Sequence, residues 1–343
     1  MLMDMTIKAA LQKLIRREDL AHEEMLSLMR QVMHGDFTPA QIAGLLMGLR
    51  VKGETVDEIA AAAQVMRELV SKVSVQDSAH LIDTCGTGGA ANKAFNVSTC
   101  SAFVAAGANA RIAKHGNRAA SSKTGSADVL EALGVNIQLQ PEQVAACIDE
   151  VGIGFMFAPN HHAAMKHAGP VRRELGVRTL FNLLGPLTNP AGAKRQVMGV
   201  FHRDLVPLLA HALHRLGSEH VMIVHSADDM DEISFSGDTY VAELKDGAIR
   251  EYTINPHTFG MVTHDLHSIS VENAEESGRQ IMAVLQGEQG PARDIVLLNS
   301  GAAIYVAGIA DSHAQGIEQA ALSIDSGAAL HKLDQLKAYS NRL

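Results

Sequence analysis

The stretch DTCGTGGAANKAFNVST, residues 83–99, places three glycines within four positions. An apolar run at 80–82, typical of a buried strand, precedes it, and Ser98 and Thr99 are good N-caps for a helix over 101–107. A loop between a strand and a helix leaves backbone N–H groups unpaired at the helix start, where the helix dipole adds partial positive charge. This loop is therefore expected to bind an anion, with phosphate as the leading candidate. A tight turn without a ligand is the alternative.

The charge pattern favours the anion site. From Thr84 to Ala127 the chain has no Asp or Glu, although its formal net charge is −9. A basic segment in an acidic protein is typical of a small polyanion site, because a nucleic-acid-binding protein usually spreads positive charge over a whole face. The basic residues of this segment are Lys93, Arg111, Lys114, Arg118 and Lys123, together with His115.

The glycine spacing separates two kinds of phosphate loop. A P-loop requires G-x-x-x-x-G-K-[ST], and no Lys-Ser or Lys-Thr follows these glycines at that spacing. Residues 86–91 do satisfy G-x-G-x-x-[GA], the dinucleotide-binding pattern, but the acidic residue expected about 20 positions later is absent. An NADP-type site that uses Arg111 stays open as an alternative.

A second strand-to-loop crossing follows the first. KHGNR, residues 114–118, comes after a strand candidate, and Ser121, Ser122 and Ser126 supply hydroxyl groups before a helix that is predicted to begin near Ala127. In an open parallel sheet, neighbouring strand ends of this kind converge on one crevice. Turn and capping roles are the alternative for the serines.

The pattern of apolar residues differs between two parts of the chain, and the difference predicts the fold. Up to about Val73 the chain is helical in pattern, with Thr38-Pro39 at one helix start and a capping box at Thr55-x-x-Glu58. From His80 onward, strand candidates alternate with helices, which favours an α/β class: a small all-helical N-terminal domain plus a large domain with a central, mostly parallel sheet flanked by helices. The later strand candidates are 111–113, 154–158, 196–201 and 220–225, with antiparallel edge strands expected within 233–254.

Composition excludes several classes of protein. The chain is 47% hydrophobic and 20% charged, as in ordinary globular enzymes, and the 343 residues suit a large domain plus a small one. We find no apolar run of about 18 residues and no signal-peptide pattern, so a cytoplasmic protein is expected. Cys85, Cys100 and Cys147 lack C-x-x-C spacing and are expected to be reduced. We see no Ser-His-Asp or paired-carboxylate constellation.

The motifs GTGG, FNVST, KHGNR, SS-x-x-GSADVLEALG, PVRRELGVRTLFNLLGPLTNP and MDE occur in this order. From about Leu11 to the C-terminus the chain thus resembles the anthranilate phosphoribosyltransferases, a nucleoside phosphorylase-like family. The resemblance implies transfer of a phosphoribosyl group from phosphoribosyl diphosphate to the amine of anthranilate, with release of diphosphate, in tryptophan biosynthesis. It also implies a small domain over 1–74 with a later contribution from about 168–190, a large domain over 75–343, and a homodimer formed through the small domain.

The resemblance implies roles for individual residues. Gly86, Asn117 and Arg172 would bind anthranilate, and His115 would line the acceptor channel. Ser98, Asp231 and Glu232 would hold two Mg²⁺ ions per active site, which leaves Asp228 and Asp229 solvated. No residue is expected to act as a general acid or base, since metal electrostatics and positioning carry the reaction. The residues implied to bind phosphoribosyl diphosphate are Gly86, Gly89, Ala90, Ala94, Asn96, Val97, Ser98, Thr99, Lys114, His115, Gly116, Asn117, Arg118, Ala119, Ala120, Ser121, Ser122 and Ser126.

Two departures and two rival functions qualify the resemblance. The family usually has Asp and Thr where this chain has Ala90 and Ala94, which puts two substrate contacts in doubt. A pyrimidine nucleoside phosphorylase-like enzyme has the same fold, but the MDE carboxylates and Arg172 argue against it. A catalytically inactive relative that binds nucleic acid is the other rival, and the net acidity and the retained Asp231-Glu232 pair argue against that.

Overall fold

Four helices open the chain in a computed structural model that describes residues 5–88, 94–119 and 123–343. They are α1 (Ile7–Ile15), α2 (His22–His34), α3 (Pro39–Lys52) and α4 (Val56–Leu69). The hydroxyls of Thr38 and Thr55 each accept the N–H of the residue three positions later, whose side chain accepts in return. Both predicted helix starts are thereby confirmed as capping boxes.

A seven-stranded sheet forms the centre of the remaining chain, in the order β3-β2-β1-β4-β5-β6-β7. The first five strands are parallel and the last two are antiparallel, which confirms the predicted mostly parallel sheet with an antiparallel edge. The order of the strands reverses between β1 and β4, and ligands of open α/β sheets bind at such a reversal, beyond the carboxyl ends of the strands. The strands are β1 (Leu81–Gly86), β2 (Arg111–Gly116), β3 (Ile153–Phe157), β4 (Arg195–Gly199), β5 (His220–Ser226), β6 (Thr239–Lys245) and β7 (Ala248–Ile254).

Helices cover both faces of the sheet. None of those within residues 5–88, 94–119 and 123–343 has both the length and the apolar character that crossing a bilayer requires. The helices that follow α4 are α5 (Val97–Gly107), α6 (Ser126–Ala132), α7 (Pro141–Val151), α8 (Ala158–His161), α9 (Gly169–Leu175), α10 (Phe181–Leu187), α11 (Leu205–Arg215), α12 (Ala274–Leu285), α13 (Pro291–Val306), α14 (His313–Asp325) and α15 (Ala328–Ser340).

The helix after the glycine loop starts earlier than predicted. Asn96 is its N-cap residue and its carbonyl accepts the N–H groups of Thr99 and Cys100. Ser98 and Thr99 therefore lie inside the first turn, and the prediction that they cap the helix is wrong. The side chain of Asn96 is bound by Thr124 and Ser277, which come from other parts of the fold.

Two hydrophobic cores lie on opposite faces of the sheet. Along β5, Val221 and Ile223 belong to one core, while Met222 and Val224 belong to the other. The first core joins α2, α3 and α4 to α11 and to buried residues between 168 and 187. This shared core supports the predicted contribution of residues 168–190 to the helical unit, although the boundary at 74 stays a prediction.

Arg67 of α4 ties the early helices to later ones. Its Nε donates to the carbonyl of Leu187 at 2.7 Å, 120 positions away, and its Nη1 donates to that of Leu216 at 3.1 Å. Both carbonyls lie at the carboxyl ends of helices, where backbone acceptors lack intrahelical partners and a cation is favourable. One side chain thus fixes α4 to α10 and α11.

The cysteines are unpaired, as expected. Burial raises the pKa of the Cys147 thiol to about 12 and also raises that of Cys100. Cys85 accepts a hydrogen bond from Gln196 Nε2 at 3.0 Å, at the end of β1.

Candidate active site

Close contact between two strand ends and the β5–β6 loop builds the crevice. A Cβ at Gly199, the last residue of β4, would lie 1.6 Å from the carbonyl oxygen of Asp231. A Cβ at Gly86, the last residue of β1, would lie 2.7 Å from Asp231 Oδ2. Glycine is therefore required at both positions because any side chain would displace Asp231.

The first part of the glycine loop wraps around the same carboxylate. Gly88 has a φ of +67° and its N–H donates to Asp231 Oδ2 at 3.2 Å. Thr87 N donates to the carbonyl of Gly199 at 2.9 Å, and Thr87 Oγ1 accepts from Phe201 N at 3.1 Å. The loop is thus anchored to β4 and to the proposed metal ligand. The predicted contacts of Gly89, Ala90, Ala120, Ser121 and Ser122, and the role considered for Lys93, lie outside the described residues.

Glu232 lies at the start of α5. Its carboxylate accepts the backbone N–H of Ser98. The other N–H groups of the first turn donate to protein carbonyls, Val97 to Phe95 and Thr99 to Asn96. The carboxyl group at this helix start is thus supplied by a side chain of the protein, and binding of a phosphate there stays a prediction.

Asp231 and Glu232 form a pair of crowded acids. Burial raises the pKa of Asp231, against the hydrogen bond from Gly88. Burial and the charge of Asp231 raise the pKa of Glu232 to about 8, against the effects of Lys114 and Ser98. A cation between the two carboxylates would remove this electrostatic cost. Among the described residues, no group of three or more His, Cys, Asp or Glu side chains could hold a metal. Mg²⁺ is usually held by one or two carboxylates together with substrate oxygens, and two carboxylates are what this pair offers.

Lys114 brings a buried positive charge beneath the crevice. Its side chain is 3% exposed, and Nζ donates to the carbonyl of Thr84 at 2.5 Å and to Ser98 Oγ at 3.3 Å. Burial lowers the pKa of Lys114, against the charges of Asp83 and Glu232. Lys114 therefore links the floor of the sheet to the predicted metal ligand Ser98.

Asp83 is a site residue that the sequence analysis missed. It is fully buried, Oδ1 accepts from His115 N at 3.1 Å, and Oδ2 accepts from Asn189 Nδ2 at 2.8 Å. Burial raises the pKa of Asp83 to about 6, against the hydrogen bond from Asn189 and the charge of Lys114. An acidic residue inside an apolar strand pattern was the available signal. Through these hydrogen bonds Asp83 fixes β2 and the segment after α10 against β1.

The positive charge of the acid-free segment is largely neutralised in space. Arg118 Nη1 lies 3.1 Å from Asp128 Oδ1 and 2.5 Å from Glu131 Oε2. The prediction that the Arg118 guanidinium binds a phosphate is therefore not supported, because two carboxylates of α6 already hold it. Similar pairs join Arg111 to Asp77 and Asp149, and Lys123 to Glu272.

The loop after β2 gathers several predicted phosphate ligands. Asp128 Oδ2 accepts the N–H groups of Ala119 and Gly125, both at 2.9 Å, and thereby closes the loop. Ser126 Oγ donates to the carbonyl of Asn117 at 3.4 Å, while the side chain of Asn117 is exposed. Gly116 leads into this loop, where a Cβ would lie 2.2 Å from Ser126 Oγ. Asn117 and the backbone around it are placed to meet a ligand.

Three predicted ligands of α5 point into the protein. The Val97 and Thr99 side chains are each 1% exposed, and Thr99 Oγ1 has no hydrogen-bond partner in the described part of the chain. Asn96 Oδ1 accepts from Ser277 Oγ at 2.7 Å and from Thr124 Oγ1 at 3.2 Å. Side-chain contacts with a substrate are therefore not supported for these residues. Ala94 forms an isolated β-bridge with Ser270 at the edge of the loop.

Arg172 lies on α9, outside the sheet. Its guanidinium carbon is 5.6 Å from the centre of the Phe181 ring, and burial lowers its pKa. Within residues 5–88, 94–119 and 123–343, this guanidinium has no ion-pair partner. A partly buried, unpaired guanidinium is suited to a planar carboxylate ligand.

Two neutral histidines connect α10 to β2. His115 Nδ1 donates to the carbonyl of Gly185 at 3.2 Å, so His115 Nε2 accepts the proton of His162 Nε2 at 3.2 Å. Burial, followed by the positive charge of His162, lowers the pKa of His115 to about 3, and burial lowers that of His162 to about 4. His162, to which the sequence analysis assigned no role, thus belongs to the predicted acceptor side.

Arg178 is a second missed residue. Its guanidinium stacks on Phe201, 4.0 Å from the ring centre, and its charge acts on Asp231. Phe201 in turn is hydrogen-bonded to Thr87 of the glycine loop. Arg178 lies within the motif PVRRELGVRTLFNLLGPLTNP, where the sequence analysis considered only the first arginines.

Asp228 is not the solvated carboxylate that the sequence predicted. It accepts hydrogen bonds from Ser226 Oγ, Ser234 Oγ, Ser236 Oγ and Met230 N. Burial would raise its pKa, but these hydrogen bonds outweigh burial and lower it. The Asp229 side chain is 82% exposed, as expected.

Comparison with known proteins agrees with this geometry. The helical bundle domain of the Glycosyl transferase family matches residues 8–70, and its a/b domain matches residues 78–330. An anthranilate phosphoribosyltransferase from Methylobacillus flagellatus is 74% identical over 338 residues, covering 98% of this chain and 99% of that protein. The anthranilate phosphoribosyltransferase of Thermus thermophilus, whose crystal structure is known, is 43% identical with a TM-score of 0.91, covering 97% of this chain and 99% of that one.

A more distant solved structure, 27% identical with a TM-score of 0.87 over 98% of both chains, is the anthranilate phosphoribosyltransferase of Saccharomyces cerevisiae in complex with phosphoribosyl diphosphate and Mg. High identity over nearly the whole chain, the matched fold and the two matched domains lead to one conclusion. The chain belongs to the anthranilate phosphoribosyltransferase family, whose members are pentosyltransferases.

Proposed function

We propose that this chain transfers the 5-phosphoribosyl group of phosphoribosyl diphosphate to the amine of anthranilate and releases diphosphate, as a step of tryptophan biosynthesis. The observation that carries the proposal is the meeting of Asp231 and Glu232 with Gly86, Gly88 and Ser98. Two acids with raised pKa values, placed against a glycine loop and a helix start, suit a substrate that brings both a cation and phosphates.

Magnesium fits the residues present. Asp231, Glu232 and the Ser98 hydroxyl would hold two Mg²⁺ ions per site. The mutual repulsion of the two acids supports a divalent cation there. When bound, magnesium neutralises the charge that develops on the departing diphosphate. The Saccharomyces cerevisiae relative was solved with both phosphoribosyl diphosphate and Mg.

The chain's own groups orient the donor. The backbone at Ala119 and Gly125, held by Asp128, and the exposed Asn117 would face the phosphates and the ribose. Lys114 contributes a positive charge from below at Ser98. Lys114 is held by hydrogen bonds to Thr84 and Ser98 before the substrate arrives, so its charge needs little reorganisation during the transfer.

Arg172 and the histidine pair form the acceptor side. The Arg172 guanidinium would bind the carboxylate of anthranilate, and the exposed Asn117 would also contact anthranilate. His115 and His162 stay neutral over the working pH range because their pKa values are about 3 and about 4. An uncharged aromatic amine is already nucleophilic, so the site needs no strong base.

We also propose a homodimer and a cytoplasmic location. The side chains of Ile15 on α1 and Val51 on α3 are 81% and 66% exposed, on helices that pack against each other. Exposed apolar side chains on the helical unit favour association through that unit.

Anthranilate fluorescence tests the proposal. Purified enzyme should consume anthranilate only when phosphoribosyl diphosphate and Mg²⁺ are both present, and EDTA should stop the reaction. The parallel assay offers inorganic phosphate with pyrimidine nucleosides. Cleavage of a nucleoside, with anthranilate left untouched, would transfer the assignment to the nucleoside phosphorylase alternative.

A further inference from the structure

The Asp228 carboxylate is the centre of the β5–β6 loop. Oδ1 accepts from Ser226 Oγ and from Met230 N, the latter at 3.2 Å, and Oδ2 accepts from Ser234 Oγ at 2.5 Å and from Ser236 Oγ. The donors come from both sides of the Asp231-Glu232 dipeptide. One carboxylate therefore joins the two halves of the loop, and we call this arrangement the serine cage.

A second anchor holds the residue after the dipeptide. Asn299 of α13 is 4% exposed, its Oδ1 accepts from Ile233 N, and its Nδ2 donates to Ile233 O, both at 2.9 Å. Met230 is fixed on one side and Ile233 on the other. The two proposed metal ligands are thus the only residues between the anchors.

Such fixing is necessary because the arrangement of Asp231 and Glu232 is unfavourable by itself. Two adjacent acids in one crevice repel each other when ionised, and a strained constellation persists only where its surroundings determine it. Asp231 is also pressed against Gly199 and Gly86, so it cannot relax toward β4 or β1. A loop released from the serine cage can turn the carboxylates outward into water.

We propose that Asp228 is a positioning residue, whose serine cage holds Asp231 and Glu232 in the geometry that receives the divalent cation. The proposal rests on the function proposed above and adds a residue to it. Asp228 reaches the cation only through the backbone that it fixes.

The cage is matched to a carboxylate. Four groups donate to Asp228, and the Met230 N–H cannot become an acceptor, whereas a serine hydroxyl can rotate and accept. An Asn at this position has nearly the same shape but offers one neutral acceptor oxygen, so serine hydroxyls must reorient to meet its NH₂ group and the charge-assisted hydrogen bonds are lost. Asp228→Asn therefore weakens the cage without leaving a cavity.

Asp229→Asn is the matched control. It removes one negative charge at the neighbouring residue, its side chain is exposed, and Asn tolerates the positive φ of +63° that Asp229 adopts. We expect Asp228→Asn to raise the Mg²⁺ concentration for half-maximal activity roughly tenfold or more, as loss of supporting hydrogen bonds does at metal sites. The KM for anthranilate should stay within about twofold. Asp229→Asn should resemble the wild type in both.

Amide hydrogen exchange of the metal-free proteins supplies a readout independent of turnover. Faster exchange across residues 230–233 in Asp228→Asn than in Asp229→Asn is expected. Ser236→Ala, which removes one donor, should shift both readouts in the same direction by less, and serves if Asp228→Asn does not fold. Equal Mg²⁺ midpoints and equal exchange in the Asp228 and Asp229 variants would overturn the proposal. A wild type inactive on anthranilate would overturn the proposed function instead, while exchange still tests the cage.

Discussion

Two glutamates, one in each half of the molecule, show how differently a folded chain treats an enclosed carboxylate. Glu58 of α4 is fully buried, Oε1 accepts from Leu20 N at 2.9 Å, and Oε2 accepts from Thr55 N at 2.8 Å and from Lys52 Nζ at 2.9 Å. Glu232 instead lies beside Asp231, and burial with that neighbour raises its pKa to about 8.

The difference separates a structural acid from a functional one. Both carboxylate oxygens of Glu58 accept hydrogen bonds from donors of its own helical unit, so this buried acid needs no ligand. At Glu232, burial and the charge of Asp231 disfavour the ionised carboxylate, and the protein does not fully offset them. A bound divalent cation would supply the missing positive charge. Unbalanced charge, rather than burial, marks the site.

The largest expected effect comes from removing the unbalanced pair. Asp231→Ala with Glu232→Ala should lower kcat/KM about 10³-fold or more, because a bound cation contributes several kcal/mol of charge stabilisation. The free energy of unfolding without metal should change little, because relief of two crowded, buried carboxyl groups offsets the loss of the hydrogen bonds from Gly88 and Ser98. Anthranilate fluorescence and urea unfolding measure both. Full activity of this double variant at low Mg²⁺ would remove the pair from the site.

Removing Glu58, the acid whose charge is balanced, should lower the free energy of unfolding rather than the activity. Glu58→Ala removes one of the two carboxylates that hold Lys52 and leaves Leu20 N and Thr55 N without their acceptor, so it should cost about 2–4 kcal/mol of stability. Lys52 is 3% exposed in its side chain, and although burial lowers its pKa, hydrogen bonds to Asp19 and Glu58 raise it overall. Glu68 lies on the same helix as Glu58, and Glu68→Ala, which breaks an exposed pair with Arg30 of α2, is the control and should cost less than about 1 kcal/mol. Equal losses in urea unfolding would contradict the distinction.

Arg172 extends the comparison to cations, since Lys52 is paired and Arg172 has no ion-pair partner among the described residues. Arg172→Ala should raise the KM for anthranilate roughly ten- to a hundredfold, the value of a charge-assisted hydrogen bond, with a smaller effect on the KM for phosphoribosyl diphosphate. Exposed Arg173 on the same helix gives the control Arg173→Ala. An unchanged KM for anthranilate in the Arg172 variant would place the acceptor elsewhere.

Glu243, another acid that the protein balances, tests the comparison through the pH dependence of stability. Burial would raise its pKa, but hydrogen bonds from His220, Tyr305 and Tyr252 lower it to about 2. Because its pKa is lowered on folding, the stability that Glu243 contributes is present above about pH 4.5 and is lost as the pH falls towards 2. Glu243→Gln should therefore cost roughly 1–2 kcal/mol at pH 7, discounted for partial solvation, and progressively less in acid. A difference from wild type that stays constant between about pH 7 and 2.5 in urea unfolding would refute this.

Local patterns sufficed for much of the fold. Apolar runs predicted the five parallel strands, and Thr38 and Thr55 predicted helix starts, because these features depend on neighbours in the sequence. The start of α5 was predicted too late in the sequence. Asn96 takes the N-cap position because its side chain is held by Thr124 and Ser277, which come from later segments.

The site was harder to predict because its electrostatics depend on pairs that are distant in sequence. Motif order identified Asp231 and Glu232, and the structure brings them to the glycine loop. Part of the positive charge of the acid-free segment is neutralised by distant acids, since Arg111 meets Asp77 and Asp149. The role of Asp228 depends on serines beyond the dipeptide, which no local rule connects to it.

The reach of Arg67 across 120 positions to Leu187 has a consequence for protein synthesis. The ribosome releases α1 to α4 first, but the helix ends that Arg67 binds and the apolar side chains between 168 and 187 do not yet exist. At about 5–20 residues per second, roughly 6 to 24 s pass before Leu187 is made. The newly made helices therefore spend that interval with the apolar face that packs against those later residues uncovered.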